Sequence, residues 1–373
     1  MSSPSGKQKV LILHAAYHVG GAERILQQLA LQLRAHFDVE VCALYQPGAV
    51  GEEMAHHGLS VHALQGASRA DLGILPRFLR LLKQLHPDVI LTVDAPLSIA
   101  YALIARRLRL TQKLVVAVHS FGKFKRTREM AVARWLASGR VDVLVALSET
   151  HRQFLLECEG WQAPQVVVIP NGVDLQRFTP AGANLREAWG LLPNIPAFGI
   201  VAGLRPEKNL FRFLRVADRV LAEVPEAKAF VVGDGELRNE LEALSRNLPG
   251  GARMVFTGAL KDIPAVWRTL DVATLTSDTE VLPMALIEAG ACGVPAVSTE
   301  VGAVRDVIVH GETGFLAPCQ DEEAMALHIV YLLRHPEERA RMGTLARQHV
   351  QAHFDLHRMI ESYVGVLSLE AQR

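Results

Sequence analysis

The sequence has little cysteine and no excess of either charge. Its four cysteines, Cys42, Cys158, Cys292 and Cys319, never stand in a Cys-x-x-Cys spacing. This scattering argues against a zinc site or a disulfide framework and is typical of a reducing compartment, so we expect a cytoplasmic protein. The formal net charge is zero. A balanced charge implies no general affinity for polyanions, and nucleic acid is therefore not an expected partner.

The sequence also lacks a long apolar run. Its most apolar stretch, Val89–Ala105, is interrupted by Asp94 and Pro96 and is too short to span a bilayer, so we expect a strand followed by a helix there. The beginning, "MSSPSGKQKVLILHAAYHVGG", has no long apolar core of the kind that a signal peptide needs. We expect a polar tail and then the first strand.

What the sequence has is an alternation of short β-rich runs with helix-length amphipathic segments. Strand, crossover helix and strand in repetition is typical of a parallel sheet that is covered by helices on both faces. The strand candidates of the first half are "KVLILH", "VEVCAL", "SVHAL", "DVILTV", "KLVVAVH", "VDVLVAL" and "QVVVIP". Those of the second half are "AFGIVAG", "AKAFVVG", "ARMVFTG", "DVATLT" and "PAVST".

These patterns predict an α/β fold with two doubly wound, Rossmann-like parallel-sheet domains that face each other across a cleft. A chain of 373 residues exceeds what one core usually serves. The junction is predicted in the Pro- and Gly-bearing stretch near residues 170–184. We expect domains at 1–178 and 179–354, with a final helix at 355–373 that packs back on the first domain. Ligands of such folds bind at the carboxyl ends of the strands and between domains.

Two carboxylates, Glu280 and Glu288, bracket the apolar run Val281–Ile287. Their spacing is a little over two turns of a helix, so both could share one face. The simple interpretation is an amphipathic helix with solvated ends. A functional interpretation depends on the loops that precede them.

Three loops have the composition of anion sites. "HVGGAER" opens the first long helix, and its paired glycines would let a ligand approach the backbone, although a tight turn without a ligand also explains them. Arg205 and Lys208 lie just before a helix that we expect to start near Asn209, and two cations at that positive helix end suit a diphosphate. Ordinary loop solubility is the alternative. In "VVGDGELRNEL", Asp234 is expected to cap a helix.

Two further features lie in the first half. His119 ends the strand "KLVVAVH", where doubly wound sheets expose functional groups, although a lone histidine is commonly structural. The segment 123–128 clusters lysine and arginine beside aromatic residues. A solvated basic face explains it simply, and contact with an anionic acceptor or a phospholipid surface is the sharper hypothesis.

Taken in order, these segments resemble the family-four retaining nucleotide-sugar glycosyltransferases, which have the GT-B architecture. The resemblance rests on "GGAER", "IPNGVD", "LRPEKN", "VGDG", "TEVLPMALIEAGACGVPAVST" and "GETGFL", and it covers nearly the whole chain. It implies a retaining hexosyltransferase that needs no metal or other cofactor. The donor would be a nucleotide-sugar, with UDP expected on family grounds, and the acceptor a glycan or a lipid-linked molecule in cell-surface polysaccharide synthesis. It also suggests work at the inner face of the membrane.

The resemblance assigns roles in the second domain. Glu288 would accept the ribose hydroxyls, and Glu280 would hold the donor sugar and balance charge at its anomeric centre. Arg205 and Lys208 would neutralise the departing diphosphate. The base would lie against residues 258–263. The full donor-binding set there is Gly203, Arg205, Lys208, Gly233, Asp262, Ile263, Val281, Leu282, Pro283, Met284, Ala285 and Glu288.

In the first, acceptor-binding domain the resemblance makes His119 a sugar-contacting catalytic residue. Gly20 and Gly21 would form the loop that meets the donor phosphates and the acceptor. The chain departs from the family pattern at two places: Gly203 stands where the family often has Arg, and Val281-Leu282-Pro283 stands where it frequently has Gly-Phe-Gly or Gly-Phe-Pro. Without that glycine the backbone beside the donor sugar has less freedom.

Other activities share this architecture. A 2-epimerase would interconvert nucleotide-sugars without an acceptor, and a non-catalytic protein could bind a nucleotide-sugar only. A phosphorylase would need a pyridoxal lysine, which nothing in the sequence indicates. Neither the acceptor nor the oligomeric state follows from the residues.

Overall fold

A computed structural model of the chain describes residues 6–18, 20–68, 71–121, 141–161 and 164–369. The chain divides into two compact units, Met1–Asn171 with His357–Arg373, and Gly172–Leu356. The boundary lies after Asn171, whereas the sequence predicted it after residue 178. The physical reason is that Val173 forms a parallel bridge with Asp355, so the start of the junction packs with the second unit.

The first unit contains a parallel sheet of seven strands in the order β3-β2-β1-β4-β5-β6-β7. The central strands β4, β5 and β6 are buried along their whole length, as apolar runs between two helical layers should be. The strands are β1 Lys9–His14, β2 Asp38–Ala43, β3 Ser60–Ala63, β4 Val89–Val93, β5 Lys113–Ala117, β6 Val143–Ala146 and β7 Gln165–Val168.

The described helices of this unit cover the faces of that sheet. They are α1 Gly21–Leu33, α2 Gly48–His56, α3 Ile74–Leu85, α4 Pro96–Arg107, α5 Glu149–Gln153 with a π-helical turn at Phe154–Cys158, and the terminal helix α13 Leu356–Leu367. The side chain of Gln8 donates to the carbonyl of Leu367, and Lys113 donates to the carbonyl of Ser368. These bonds attach the last helix to the first unit.

The second unit contains six parallel strands in the order β10-β9-β8-β11-β12-β13. They are β8 Ala197–Val201, β9 Lys228–Val232, β10 Met254–Gly258, β11 Val272–Leu275, β12 Ala296–Thr299 and β13 Gly314–Ala317. The sixth strand was not predicted. Its four residues begin with glycine and contain no β-branched side chain, so the sequence pattern does not show it.

The described helices of the second unit complete its layers. They are α6 Leu210–Glu223, α7 Arg238–Arg246, α8 Ile263–Thr269, α9 Met284–Ala291, α10 Val304–Val307, α11 Glu322–Arg334 and α12 Pro336–His353, with 3₁₀ turns at Pro206–Lys208 and Gly251–Arg253. Among the helices that the structure describes, none combines the length and apolar character that crossing a membrane requires.

Both sheets reverse their strand order beside their first strand, between β1 and β4 and between β8 and β11. In doubly wound sheets such a switch point opens a crevice at the carboxyl ends of the two strands, where ligands bind. In the second unit the loops that leave β8 and β11 carry residues 202–209 and 276–283. The two-domain Rossmann-like fold is confirmed. The loops beside its switch points are the expected ligand-binding loops.

Candidate active site

Lys208 and Glu280 meet at the switch point of the second sheet. The ammonium nitrogen Nζ of Lys208 lies 2.6 Å from Oε1 of Glu280, and the Ser277 hydroxyl donates to the same oxygen at 2.6 Å. Glu280 is 8 % exposed. A buried carboxylate is stable when it is paired and hydrogen-bonded, and here both conditions hold. The two residues that the sequence singled out separately are in direct contact.

The loop that carries Lys208 is held by the loop after β11. The Thr276 hydroxyl donates to the carbonyl of Lys208 at 3.1 Å, and the side-chain amide of Asn209 donates to Asp278 at 3.0 Å. Asn209 also adopts a left-handed conformation, with φ of 44°, and its side chain accepts from the backbone N–H of Arg212 at the start of α6. The helix therefore starts where the sequence predicted, with its N-terminus directly behind Lys208.

Gly233 and Asp234 support the same loop from the other side. A Cβ on Gly233 would lie 1.9 Å from the carbonyl oxygen of Ala202, and its φ is 139°. Glycine is therefore required there by packing between the ends of β8 and β9. The prediction that Asp234 caps a helix was wrong, because α7 begins at Arg238 after Leu237. Asp234 instead accepts from the N–H of Gly235.

Glu288 lies on α9 beside a tryptophan. The indole Nε1 of Trp267 is 3.5 Å from Oε2 of Glu288. Burial raises the pKa of Glu288 to about 7, against smaller lowering effects of Trp267 and of the Arg177 charge. Among the described residues no charged side chain is hydrogen-bonded to this carboxyl, so both of its oxygens can accept hydrogen bonds from a ligand.

Glu280 and Glu288 do not share a helix. Helix α9 begins at Met284, so Glu280 belongs to the loop before it and the run Val281–Pro283 enters the helix. In the described structure the backbone N–H groups of Met284 and Ala285 make no hydrogen bond, since the first bond to this helix is donated by Leu286. Free amides at a helix N-terminus attract anions. Leu282 and Pro283 are buried, which fixes the entry of the chain into the helix.

The remaining residues of the predicted set in this unit lie at the loop ends. Arg205 is exposed, and within the described residues its guanidinium makes no hydrogen bond or ion pair. Gly203 is also exposed, and a Cβ there would meet only the Arg205 side chain, at 3.6 Å. Asp262 caps α8 by accepting from the N–H of Ala265 at 3.2 Å, and Ile263 is the first residue of that helix.

His119, Gly20 and Gly21 belong to the first unit. The carboxylate of Asp94, which follows β4 in a left-handed conformation with φ of 48°, accepts from the backbone N–H of His119 and from the Ser120 hydroxyl, both at 3.0 Å. His119 is thus held at the switch point of the first sheet. Gly20 and Gly21 lie at the start of α1, beside that switch point.

Sequence reasoning missed Ser277 and Trp267. Ser277 lies three residues before Glu280 in a loop, and no motif signal separates it from other loop serines. Trp267 lies in a short helix, and in the sequence its apolar side chain cannot be distinguished from a core residue. Their contacts with Glu280 and Glu288 are visible only in the folded structure. The basic segment 123–128 lies outside the described residues, so the hypothesis of its contact with a membrane or an acceptor stays a prediction.

A cavity of about 370 Å³ lies in the first unit at the carboxyl ends of its first three strands. Among the described residues its polar lining side chains are His18, Tyr45, Gln46 and Ser68. Hydrogen-bonding side chains of this kind suit a hydroxyl-rich ligand. Among the residues described, no group of three or more His, Cys, Asp or Glu side chains is arranged to hold a metal ion.

Two family models match the chain. The model described as Glycosyltransferase Family 4 matches residues 19–177, and the model described as Glycosyl transferases group 1 matches residues 183–349. The two matches fall on either side of the junction.

The chain is also similar in sequence to proteins whose names state an activity. A GDP-mannose-dependent alpha-mannosyltransferase of Mycobacterium tuberculosis is 30% identical over 322 residues, which is 82% of this chain and 80% of that protein. A UDP-Gal:alpha-D-GlcNAc-diphosphoundecaprenol alpha-1,3-galactosyltransferase of Escherichia coli is 30% identical over 264 residues, 67% of each chain. An N-acetyl-alpha-D-glucosaminyl L-malate synthase of Bacillus anthracis is 29% identical, but the alignment spans only 47% of it.

Solved structures share the fold. Anabaena Alr3699/HepE in complex with UDP and glucose superposes with a TM-score of 0.84, at 23% identity, over 95% of this chain and 98% of that one. Sucrose-phosphate synthase from Thermosynechococcus elongatus superposes with a TM-score of 0.79, at 21% identity, over 96% and 97%.

Proposed function

The chain belongs to glycosyltransferase family 4, with the GT-B fold, and from this premise we propose that it is a retaining, metal-independent enzyme that moves a hexose-type sugar from a nucleotide-sugar to a hydroxyl of a glycan or lipid-linked acceptor. The observation that carries the proposal is the Lys208–Glu280–Ser277 contact at the switch point of the second sheet. It puts a cation and a buried carboxylate at the place where such sheets bind nucleotides.

Breaking the glycosyl–phosphate bond leaves positive charge on the sugar and negative charge on the diphosphate. Lys208 has three hydrogen-bond donors, so it can keep its bond to Glu280 and still donate to a phosphate oxygen. The exposed guanidinium of Arg205 and the free N–H groups at the start of α9 supply further donors for the leaving group. Protein groups alone would then stabilise the departing charge.

Glu280 and Glu288 take different parts of the donor in this proposal. Glu280, which is paired with Lys208, balances charge at the anomeric carbon. Glu288 has few partners of its own and accepts the two ribose hydroxyls. Asp262 and Ile263, at the start of α8, line the place proposed for the base.

The acceptor is proposed from the first unit and from the relatives. The polar cavity beside β1–β3 suits a sugar, and His119 is held at the same edge of the sheet by Asp94. The Escherichia coli relative is named for a diphosphoundecaprenol-linked acceptor. We therefore propose that the acceptor is a lipid-linked glycan and that the enzyme contacts an anionic membrane peripherally. On family grounds we propose a UDP-sugar as the donor. The role would be cell-surface polysaccharide synthesis at the cytoplasmic side.

A thermal-shift screen of UDP-, GDP-, ADP- and TDP-sugars tests the donor, because a ligand that binds the folded state raises the midpoint. The donor found there is then used to compare variants. We expect Lys208→Ala and Glu288→Ala each to reduce transfer at least about a hundredfold, the scale of losing one stabilising group at a developing charge, with circular dichroism unchanged. Arg219→Ala, which removes an exposed cation of α6, is the matched control. Near-normal turnover in both site variants would refute this site.

The same preparation separates the competing activities. Conversion of UDP-GlcNAc to its epimer without an acceptor would indicate a 2-epimerase. Donor binding without hydrolysis or transfer would indicate a non-catalytic binder. Transfer that continues in excess EDTA, with the anomeric configuration of the donor retained in the product, is the expected outcome.

A further inference from the structure

Glu23 and His14 form a pair beside the glycine turn that starts α1. His14 is the last residue of β1 and is 7 % exposed, and Glu23 is the third residue of α1. The ring nitrogen Nε2 of His14 lies 3.7 Å from Oε1 of Glu23, within ion-pair distance. Neither residue has a role in the mechanism above.

Both nitrogens of the His14 ring face hydrogen-bond acceptors. Nδ1 is 2.9 Å from the carbonyl oxygen of Val93, which can only accept, so Nδ1 carries a hydrogen. Nε2 faces a carboxylate, which when ionised also only accepts. Each ring nitrogen of His14 thus lies beside an oxygen to which an N–H could donate. The nearby hydroxyl of Tyr17 does not intervene, because it donates to the carbonyl of Ile12.

Glu23 lies among groups that favour its ionised form. Burial alone would raise the pKa of Glu23, but its contacts with His14 and with its own backbone N–H, together with the neighbouring His18, lower it. The adjacent cation, Arg24, forms an ion pair with Glu53 on α2. His14 is therefore the side chain that faces Glu23 and is able to carry a compensating charge.

Gly20 makes room for this carboxylate. Its backbone is extended, with φ of −162°, so its conformation does not demand glycine. A Cβ on Gly20 would lie 2.4 Å from Oε2 of Glu23, whereas a Cβ on Gly21 would meet nothing within 4 Å. The absent side chain at Gly20 thus has a reason other than the close approach of a ligand: alanine there would move the Glu23 carboxylate away.

We propose that Glu23 and His14 are a charge-neutral positioning pair for sugar transfer. Glu23 ties the first turn of α1 to the end of β1, and His14 cancels the negative charge that this carboxylate would otherwise present to a diphosphate at the Gly20–Gly21 turn. The inference rests on the proposed function and adds to it that the Gly20–Gly21 turn meets the donor phosphates, as the family resemblance implies. Uncompensated, a carboxylate in the first helical turn would repel an anionic ligand.

A charge-cancelling cycle in the full chain tests the electrostatic part. His14→Asn keeps a donor for the Val93 carbonyl but removes the positive charge. We expect it to lower kcat/KM for UDP-glucose or GDP-mannose, whichever the wild type uses, about tenfold, mainly through donor KM. The double variant His14→Asn/Glu23→Gln should recover most of that loss, because the repelling charge is gone too. A double variant no better than His14→Asn would overturn the proposal.

A second cycle tests the steric part and holds even if His14→Asn does not fold. Gly20→Ala and Glu23→Gln should be non-additive in kcat/KM, since both break the same contact. Gly21→Ala and Glu23→Gln should be additive. Additivity in both pairs would overturn the proposal. Absence of turnover of any nucleotide-sugar by the wild type would instead refute the proposed function.

Discussion

Replacing Glu288 by glutamine tests whether its carboxyl is an unpaired buried acid. Glutamine keeps the size and an oxygen that can accept from the indole of Trp267, but it cannot ionise. The pKa of Glu288 is raised by burial from 4.5 to about 7. Folding therefore favours the protonated form, and stability is lost as the pH rises from 4.5 to about 7, where the unfolded state ionises before the folded state does.

The magnitude follows from linkage. A rise from 4.5 to about 7 corresponds to about 3 kcal/mol between the two protonation states. Some surface of Glu288 remains exposed, and water screens part of this cost, so we expect about 1–3 kcal/mol. Below pH 4.5 the acid is protonated in both folded and unfolded states and the cost is absent. It grows as the pH rises and is complete above about pH 7.

The assay is urea unfolding of the donor-free protein from pH 5 to pH 8.5. We expect Glu288→Gln to be close to wild type at pH 5 and more stable by about 1–3 kcal/mol at pH 8.5. Glu226→Gln, which neutralises an exposed carboxylate of the same unit, is the control for a general charge effect. If the wild-type and Glu288→Gln stabilities run parallel over the whole pH range, the buried-acid reasoning is refuted.

Two further predictions concern the support of the site. Ser277→Ala removes one of the two donors to Oε1 of Glu280. Because hydrogen bonds to charged groups contribute about 1.5–3 kcal/mol, kcat should fall about tenfold or more in a transfer assay while the fold is kept. An unchanged kcat would show that Lys208 alone orients Glu280. Gly233→Ala should destabilise the protein by about 2 kcal/mol or more in thermal unfolding, because its Cβ would enter the carbonyl of Ala202. Gly190→Ala, with φ of 61° and open space around it, separates backbone strain from the clash, and equal losses in both variants would exclude the clash.

Much of the fold could be predicted because hydrophobic period and turn residues are local signals. The alternation of strands and helices showed two doubly wound units, and the start of α6 at Leu210 behind Asn209 followed from composition. The strand Gly314–Ala317 could not be predicted, since its place is set by pairing with Ala296–Thr299. The place of Asp234 was also missed, because a loop that packs against Ala202 and Leu204 delays the next helix.

The candidate site divides in the same way. The order of its motifs identified Lys208, Glu280 and Glu288 as candidates, but their roles depended on contacts that the sequence does not state. Lys208 and Glu280 are 72 positions apart. They touch because parallel strands bring their carboxyl ends to one edge, and Ser277 joins them from the same loop.

The two-unit architecture, the family and the residue types available for anion binding follow from the sequence alone, because these depend on local pattern and on motif order. Three facts depend on the folded chain: Glu280 lies in a loop rather than on the helix of Glu288, burial raises the pKa of Glu288, and Gly20 accommodates the Glu23 carboxylate. Those facts depend on which atoms approach one another across the fold, and burial and Coulomb interactions act over such distances in space, not along the chain.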